Sequence, residues 1–134
     1  EVVARLAPTT NKTLLVSGDE LTVRGDGHFI ERAVINLLNN AIRHAKSQVI
    51  VEVYQTDNAV NIAVNDDGSG VEPALASRIF DPFFRPDNSR VRYAGGAGLG
   101  LAIVQRIQLW HQGSASVTSS RSLRGACFIL SYPL

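Results

Sequence analysis

The chain has 134 residues, 45% of them hydrophobic and 19% charged, with a net charge of +1 and a single cysteine. This balance suits one globular domain with a buried core and excludes an internal disulfide. It gives no general electrostatic case for nucleic acid or a membrane surface, and no apolar run approaches the roughly 20 residues that span a bilayer. The chain therefore reads as one soluble domain over residues 1–134.

In chain order, Lys12 to Val16 and Leu21 to Arg24 read as short strands or one irregular hairpin. Asp26 is a suitable N-cap for a helix from about Gly27 to Ala45, in which Ile30, Val34, Leu37, Leu38, Ala41 and Ala45 recur at helical spacing. Val49 to Thr56 and Ala59 to Asn65 form a predicted hairpin around Asp57-Asn58. Pro73 opens a short helical segment to about Phe80, followed by a polar, basic loop from Asp81 to Ala94 that reads as mobile. A second helix runs from about Gly98 to His111, with Leu99, Ile103, Ile107 and Trp110 on one side. Ser114 to Ser119 and Gly125 to Tyr132 close the chain as a strand pair joined near Leu123-Arg124. Strands and helices do not alternate strictly. The order predicts an α+β fold, a two-layer sandwich with helices on one face of a mixed sheet.

Three local patterns could carry chemistry. Asn36, Asn40, Arg43 and His44 fall on one stripe of the first helix. Asparagine is a poor residue for a helix interior; a pair one turn apart could keep amide oxygens for magnesium on a phosphate chain, although a solvated helix face has the same pattern. Asp66 ends a strand and is followed by Asp67-Gly68-Ser69-Gly70. Its carboxylate could accept from an exocyclic amine while the glycines let a planar ring lie close to the backbone; an ordinary Asp-Asp-Gly turn would look alike. Finally, Gly95, Gly96, Gly98 and Gly100 lead directly into an apolar helix, where unpaired N–H groups could receive a phosphate or simply close a tight loop. The third glycine of a dinucleotide fingerprint, the Gly-Lys-Ser/Thr of a Walker loop and the terminal Glu of a calcium loop are all missing. Cys127, in Ala126-Cys127-Phe128-Ile129-Leu130, reads as a buried thiol, and His28 and His111 as surface or structural residues.

In this order the patterns resemble the ATP-binding catalytic domain of sensor histidine kinases, which shares the Bergerat fold with the gyrase and MutL ATPases. The similarity lies in Asn36-Leu37-Leu38-Asn39-Asn40-Ala41-Ile42-Arg43-His44-Ala45, Asp66-Asp67-Gly68-Ser69-Gly70-Val71, Ile79-Phe80-Asp81-Pro82-Phe83-Phe84-Arg85 and Gly96-Ala97-Gly98-Leu99-Gly100-Leu101-Ala102-Ile103-Val104. The resemblance implies Mg-ATP as ligand, with Asn40 on magnesium, Asn36 supporting the phosphates, and Arg43 and His44 beside them. It makes Asp66 the adenine reader, with Gly68 and Gly70 shaping the pocket wall and Val71 burying the ring. An ATP lid is implied over about residues 83–97, including Phe83, with Arg85, Arg90 and Arg92 as candidates for the γ-phosphate. Gly96, Gly98, Leu99, Gly100 and Leu101 complete the implied nucleotide site.

The same resemblance implies a phosphoacceptor histidine on a separate dimerisation hairpin, a response regulator as partner and a homodimeric parent. It also implies a cytoplasmic domain of a protein anchored in the bacterial inner membrane, with no direct membrane contact and no nucleic-acid partner. No phosphoacceptor histidine is recognised in this chain. Asn36 stands where the gyrase-like branch has a glutamate base, which implies ATP binding with little hydrolysis, because an amide cannot take a proton from water. A regulatory nucleotide-binding module and an anti-sigma-type serine kinase of the same fold are the alternatives. Ala97 replaces the usual Thr or Ser, and Asp67, where Asn is common, is expected to point to solvent.

Overall fold

A computed structural model describes residues 12–18, 21, 23, 25–82 and 100–134. Its five strands are β1 (Thr13–Gly18), β2 (Gln48–Gln55), β3 (Ala59–Asp66), β4 (Ser114–Ser119) and β5 (Ala126–Pro133). They form one sheet in the order β1-β2-β3-β5-β4, with β1 parallel to β2 and every other pair antiparallel. Two helices, α1 (Gly27–His44) and α2 (Gly100–Trp110), pack on one face. The fold is thus the expected α+β arrangement.

Strand alternation explains why only one face takes helices. Val49, Val51, Val64, Phe128, Leu130 and Tyr132 fall on the same side of the sheet and meet Ala33, Leu37, Leu38 and Ala41 of α1 with Val104 and Ile107 of α2. The opposite face carries Glu52, Asn61, Asn65, Cys127 and Ser131. Cys127 is buried, as expected. Desolvation first, then the nearby Glu52 and Asp66 carboxylates, push its thiol up to about 11.

Both ends of α1 are closed by identifiable groups. Asp26 accepts from the His28 and Phe29 N–H groups at 3.0 and 3.4 Å, satisfying donors that the first turn leaves open. At the other end, Lys12 Nζ donates to the Ile42 and Ala45 carbonyls at 2.5 and 2.7 Å, placing a cation where the helix dipole is negative. His111 ties the two helices together. Its Nε2 accepts from the Asp26 N–H at 3.0 Å and its Nδ1 lies 2.8 Å from the Ile107 carbonyl, a pairing that assigns the neutral Nδ1–H tautomer.

Four local expectations change. β1 pairs with β2 across α1 and makes no hairpin; Leu21 and Val23 are not strand, while Thr22 and Arg24 lie outside the described residues. Only Pro73–Leu75 is a 3-10 helix, and the chain then continues in turns to Phe80. The buried face of α2 is Val104, Ile107 and Gln108. Trp110, which helical spacing put on one side with Ile103 and Ile107, is 59% exposed and touches Phe29 edge-on at 5.4 Å.

Candidate functional site

The site is built where the end of β3, the end of α1 and the turn before β5 converge. Asp66, the last residue of β3, is 1% exposed. Gly68 N–H donates to its Oδ1 at 2.8 Å and Ala126 N–H donates to the same oxygen at 3.3 Å. Among the described residues, both hydrogen bonds to this carboxylate therefore land on Oδ1. No hydrogen bond from a described residue reaches Oδ2, and the backbone bonds on Oδ1 fix its direction.

Two close approaches enclose the carboxylate. A Cβ at Gly68 would stand 2.2 Å from the His44 carbonyl oxygen, so the turn after β3 sits directly on the last turn of α1. At Gly125 a Cβ would stand 2.3 Å from the Asp66 carbonyl oxygen and 2.5 Å from Oδ1. Gly70, with φ of +83°, makes a left-handed bend in this loop that a residue with a side chain rarely adopts. Val71 packs partly buried against the core, and Phe80 lies beneath the site in an edge-to-face contact with Phe128 at 6.1 Å.

The asparagine stripe on α1 lies at the border of the core. Asn40 is 8% exposed, and its amide makes no hydrogen bond among the described residues. Asn36 Nδ2 is buried without a partner. An orphaned buried amide costs free energy unless something outside the chain satisfies it. On this stripe Asn36 Nδ2 is such a group, and the largely buried Asn40 lies one turn further along. Arg43 and His44 are exposed in the last turn of the helix. Partial desolvation and then the Arg43 guanidinium lower the His44 pKa below its ordinary value; Asp66 acts in the opposite sense, and Lys12 adds to the lowering.

Gly100 opens α2 and Leu101 is partly buried against the core. Phe83, Arg85, Arg90, Arg92, Gly96, Gly98 and Leu99 lie outside the described residues, as does Ala97. The described part of the site thus joins Asp66, Gly68 and Gly70 with the C-terminal part of the α1 stripe. Sequence reasoning missed Gly125 and the Ala126 N–H. Their only signal was a glycine before a strand, which is also the mark of an ordinary hairpin.

Asp67 corrects an expectation: it faces the chain. Its carboxylate accepts from the Lys46 N–H at 2.7 Å, the Ser47 N–H at 3.1 Å, the Ser47 hydroxyl at 2.9 Å and the Gln48 N–H at 3.2 Å. Desolvation raises its pKa, but the bonds from Ser47, Gln48 and Lys46 outweigh that and hold it at about 2. The folded value lies below the unfolded one. Its stabilisation is therefore complete above the ordinary aspartate value of 3.8 and is lost as the pH falls through about 2. Asp67→Asn is expected to cost about 1–2 kcal/mol at neutral pH, after allowance for solvent screening. Thermal melts between neutral pH and pH 2 should converge with those of the unaltered domain at the acid end.

Comparison with known proteins agrees with this geometry. The profile of the family described as Histidine kinase-, DNA gyrase B-, and HSP90-like ATPase matches residues 25–134. The chain is 42% identical over 132 residues to the sensor protein RstB of Escherichia coli K12, covering 96% of this chain and 30% of RstB. It is 38% identical over 130 residues to the sensor histidine kinase CusS of Escherichia coli O6:H1, covering 96% of this chain and 27% of CusS. In structure it is similar to the mycobacterial sensor histidine kinase MprB, with a TM-score of 0.86 and 29% identity over 98% of this chain and 90% of that one. It is also similar to full-length ShkA in complex with AMPPNP, with a TM-score of 0.81 and 27% identity over 98% of this chain and 28% of that one.

Proposed function

The chain belongs to the histidine kinase-, DNA gyrase B- and HSP90-like ATPase family, on its sensor histidine kinase side, and from that premise we propose that it binds Mg-ATP and delivers the γ-phosphoryl to a histidine on a separate dimerisation hairpin. The observation that carries the reading is the Asp66 carboxylate, buried at a strand end, with Oδ1 occupied by two backbone donors. An acceptor fixed in this way can take the exocyclic amine of adenine. It disfavours a base that presents a carbonyl at the same place, because two acceptors would then face each other.

The remaining roles follow from the chemistry of each side chain. Asn40 is assigned to magnesium through its amide oxygen and Asn36 to the phosphates through its orphaned Nδ2; magnesium when bound supplies charge neutralisation on the phosphate oxygens. Gly100 at the start of α2 directs backbone N–H groups outward, the usual support for an anion at a helix end. Arg43 and His44 add positive character beside that path, and Val71 takes the apolar side of the base. We assign the partly buried Leu101 to the nucleotide cleft, and from the residues outside the described set Phe83, Gly96, Gly98 and Leu99 to the same cleft and Arg85, Arg90 or Arg92 to the γ-phosphate. Asn36 offers no base for water, so slow hydrolysis preserves ATP for the imidazole acceptor.

The chain spans 27% to 30% of the curated relatives quoted above. We assign the phosphoacceptor hairpin, the homodimeric state, the response regulator and the membrane anchor to a longer parent, with this domain on the cytoplasmic side. Among the described residues no helix is long and apolar enough to cross a membrane.

Calorimetric titration with a non-hydrolysable ATP analogue, with and without magnesium and with its GTP counterpart as control, tests the binding half. Adenine-dependent binding that strengthens with magnesium is expected. Asn40→Ala should reduce the magnesium-dependent gain by at least about tenfold while leaving adenosine recognition nearly intact, as expected for one ion-linked contact. Mixing the domain with the parent's hairpin and ATP should yield phosphohistidine. Phosphoserine on a protein acceptor would instead identify a serine kinase, and ATP binding without a labelled product would identify a regulatory module.

A further inference from the structure

On the sheet face away from the helices, polar side chains form a chain that ends behind the Asp66 carboxylate. Glu52 Oε1 on β2 accepts from Asn65 Nδ2 at 3.2 Å, and the same amide donates to the Ile50 carbonyl at 3.3 Å. Asn65 Oδ1 accepts from the Ser120 hydroxyl at 2.9 Å, and Ser120 Oγ accepts from the Leu123 N–H at 3.1 Å. Asn65 and Ser120 are only 3% and 4% exposed, so water competes little for these bonds.

Ser120 also holds the turn through its backbone. Its N–H donates to the Gly125 carbonyl at 2.8 Å and its carbonyl accepts from the Arg124 N–H at 2.9 Å. Arg124 adopts a φ of +70°, a conformation that a non-glycine residue keeps only when its surroundings impose it. Side chain and backbone together close the β4–β5 turn and fasten it to β3 at the residue preceding Asp66. The next residues out of that turn are Gly125, the wall over the carboxylate, and Ala126, the donor to Oδ1.

Resting on the reading of Asp66 as the adenine acceptor, we propose that Ser120 and Asn65 are positioning residues for base selectivity. They keep the Ala126 N–H on Oδ1 and so leave Oδ2 as the single oriented acceptor. Without the pair, the turn withdraws, the carboxylate rotates and water reaches it. Discrimination between amine and carbonyl at the base edge then falls, while contacts to the phosphates are untouched.

The test compares the affinity of the domain for AMPPNP with that for its inosine counterpart, and follows amide hydrogen exchange at Ala126 without nucleotide. Ser120→Ala and Asn65→Ala are each expected to lower the adenine-over-hypoxanthine ratio by about fivefold, the effect of losing one buried neutral bond. The double variant should fall no further than the worse single one, because both remove the same contact. Exchange at Ala126 should quicken in each. Ser120→Thr, which keeps the hydroxyl, should hold both readouts near their original values and guards against a variant that merely fails to fold. A folded Ser120→Ala domain with unchanged ratio and unchanged Ala126 exchange overturns the proposal. If the unaltered domain binds both nucleotides equally, the adenine reading of Asp66 falls, whereas Ala126 exchange still decides whether the pair holds the turn.

Discussion

Asp66→Asn should lower affinity for an ATP analogue by at least about tenfold and erase the preference for adenine over hypoxanthine, with little change in stability. Loss of a hydrogen bond to a charged acceptor is worth about 1.5–3 kcal/mol, roughly tenfold to over a hundredfold in affinity. The choice of asparagine matters because Oδ1 has a second task. It accepts from the Gly68 and Ala126 N–H groups, both at buried residues. Alanine would orphan these two donors, at about 1–3 kcal/mol each, and confuse recognition with folding. Asparagine can keep its oxygen on them and present Nδ2, a donor, where Oδ2 was. A donor there opposes the adenine amine and suits a carbonyl. Titration with AMPPNP and with the inosine analogue, beside thermal melts, separates the two effects: unchanged selectivity in a domain of unchanged melting temperature would remove Asp66 from base recognition.

How much of this was legible in the sequence depended on the reach of each interaction. The Gly27–His44 helix and the hairpin of β2 and β3 were readable because their signals are local: the Asp26 cap, the helical spacing of Leu37, Leu38 and Ala41, and the Asp57-Asn58 turn. β1 was legible as a strand, but its pairing was not, because its partner is β2, on the far side of α1, and parallel pairing has no local turn to announce it. Asp67 was misplaced for the same reason. Its donors, Lys46, Ser47 and Gln48, precede it by a whole hairpin, so a second carboxylate in an Asp-Asp-Gly turn looked like a solvated group.

The site itself divided along the same line. Asp66 and its glycines could be read because they are contiguous, and the spacing of Asn36 and Asn40 gave their common face. The hydrogen bonding around Asp66 could not be read, because the Ala126 N–H on Oδ1 and the neighbouring Ser120–Asn65 bond are contacts across the sheet. Nor did spacing distinguish a solvated asparagine stripe from a ligand-facing one. What spacing left out is that Asn40 is buried and that Asn36 Nδ2 has no hydrogen-bond partner, both set by packing against the rest of the fold.

Gly125→Ala is expected to abolish measurable nucleotide binding and to destabilise the domain by about 3 kcal/mol, at the upper end for overpacking a closely packed site. The added Cβ would lie 2.3 Å from the Asp66 carbonyl oxygen, 2.5 Å from Oδ1 and 2.6 Å from the Gly68 nitrogen. Two of these three atoms are backbone, and the third belongs to the carboxylate that must stay oriented. Relief therefore requires β5 to move away from β3, because turning the carboxylate leaves both backbone contacts in place, and that movement breaks the Ala126 N–H bond to Oδ1. Gly27→Ala is the matching control, since nothing lies within 4 Å of a Cβ there and alanine favours the helix it begins. Melting temperature and AMPPNP affinity measured on both variants decide the matter. If Gly125→Ala binds nucleotide as well as Gly27→Ala does, the close packing of β5 on Asp66 has no part in forming the pocket.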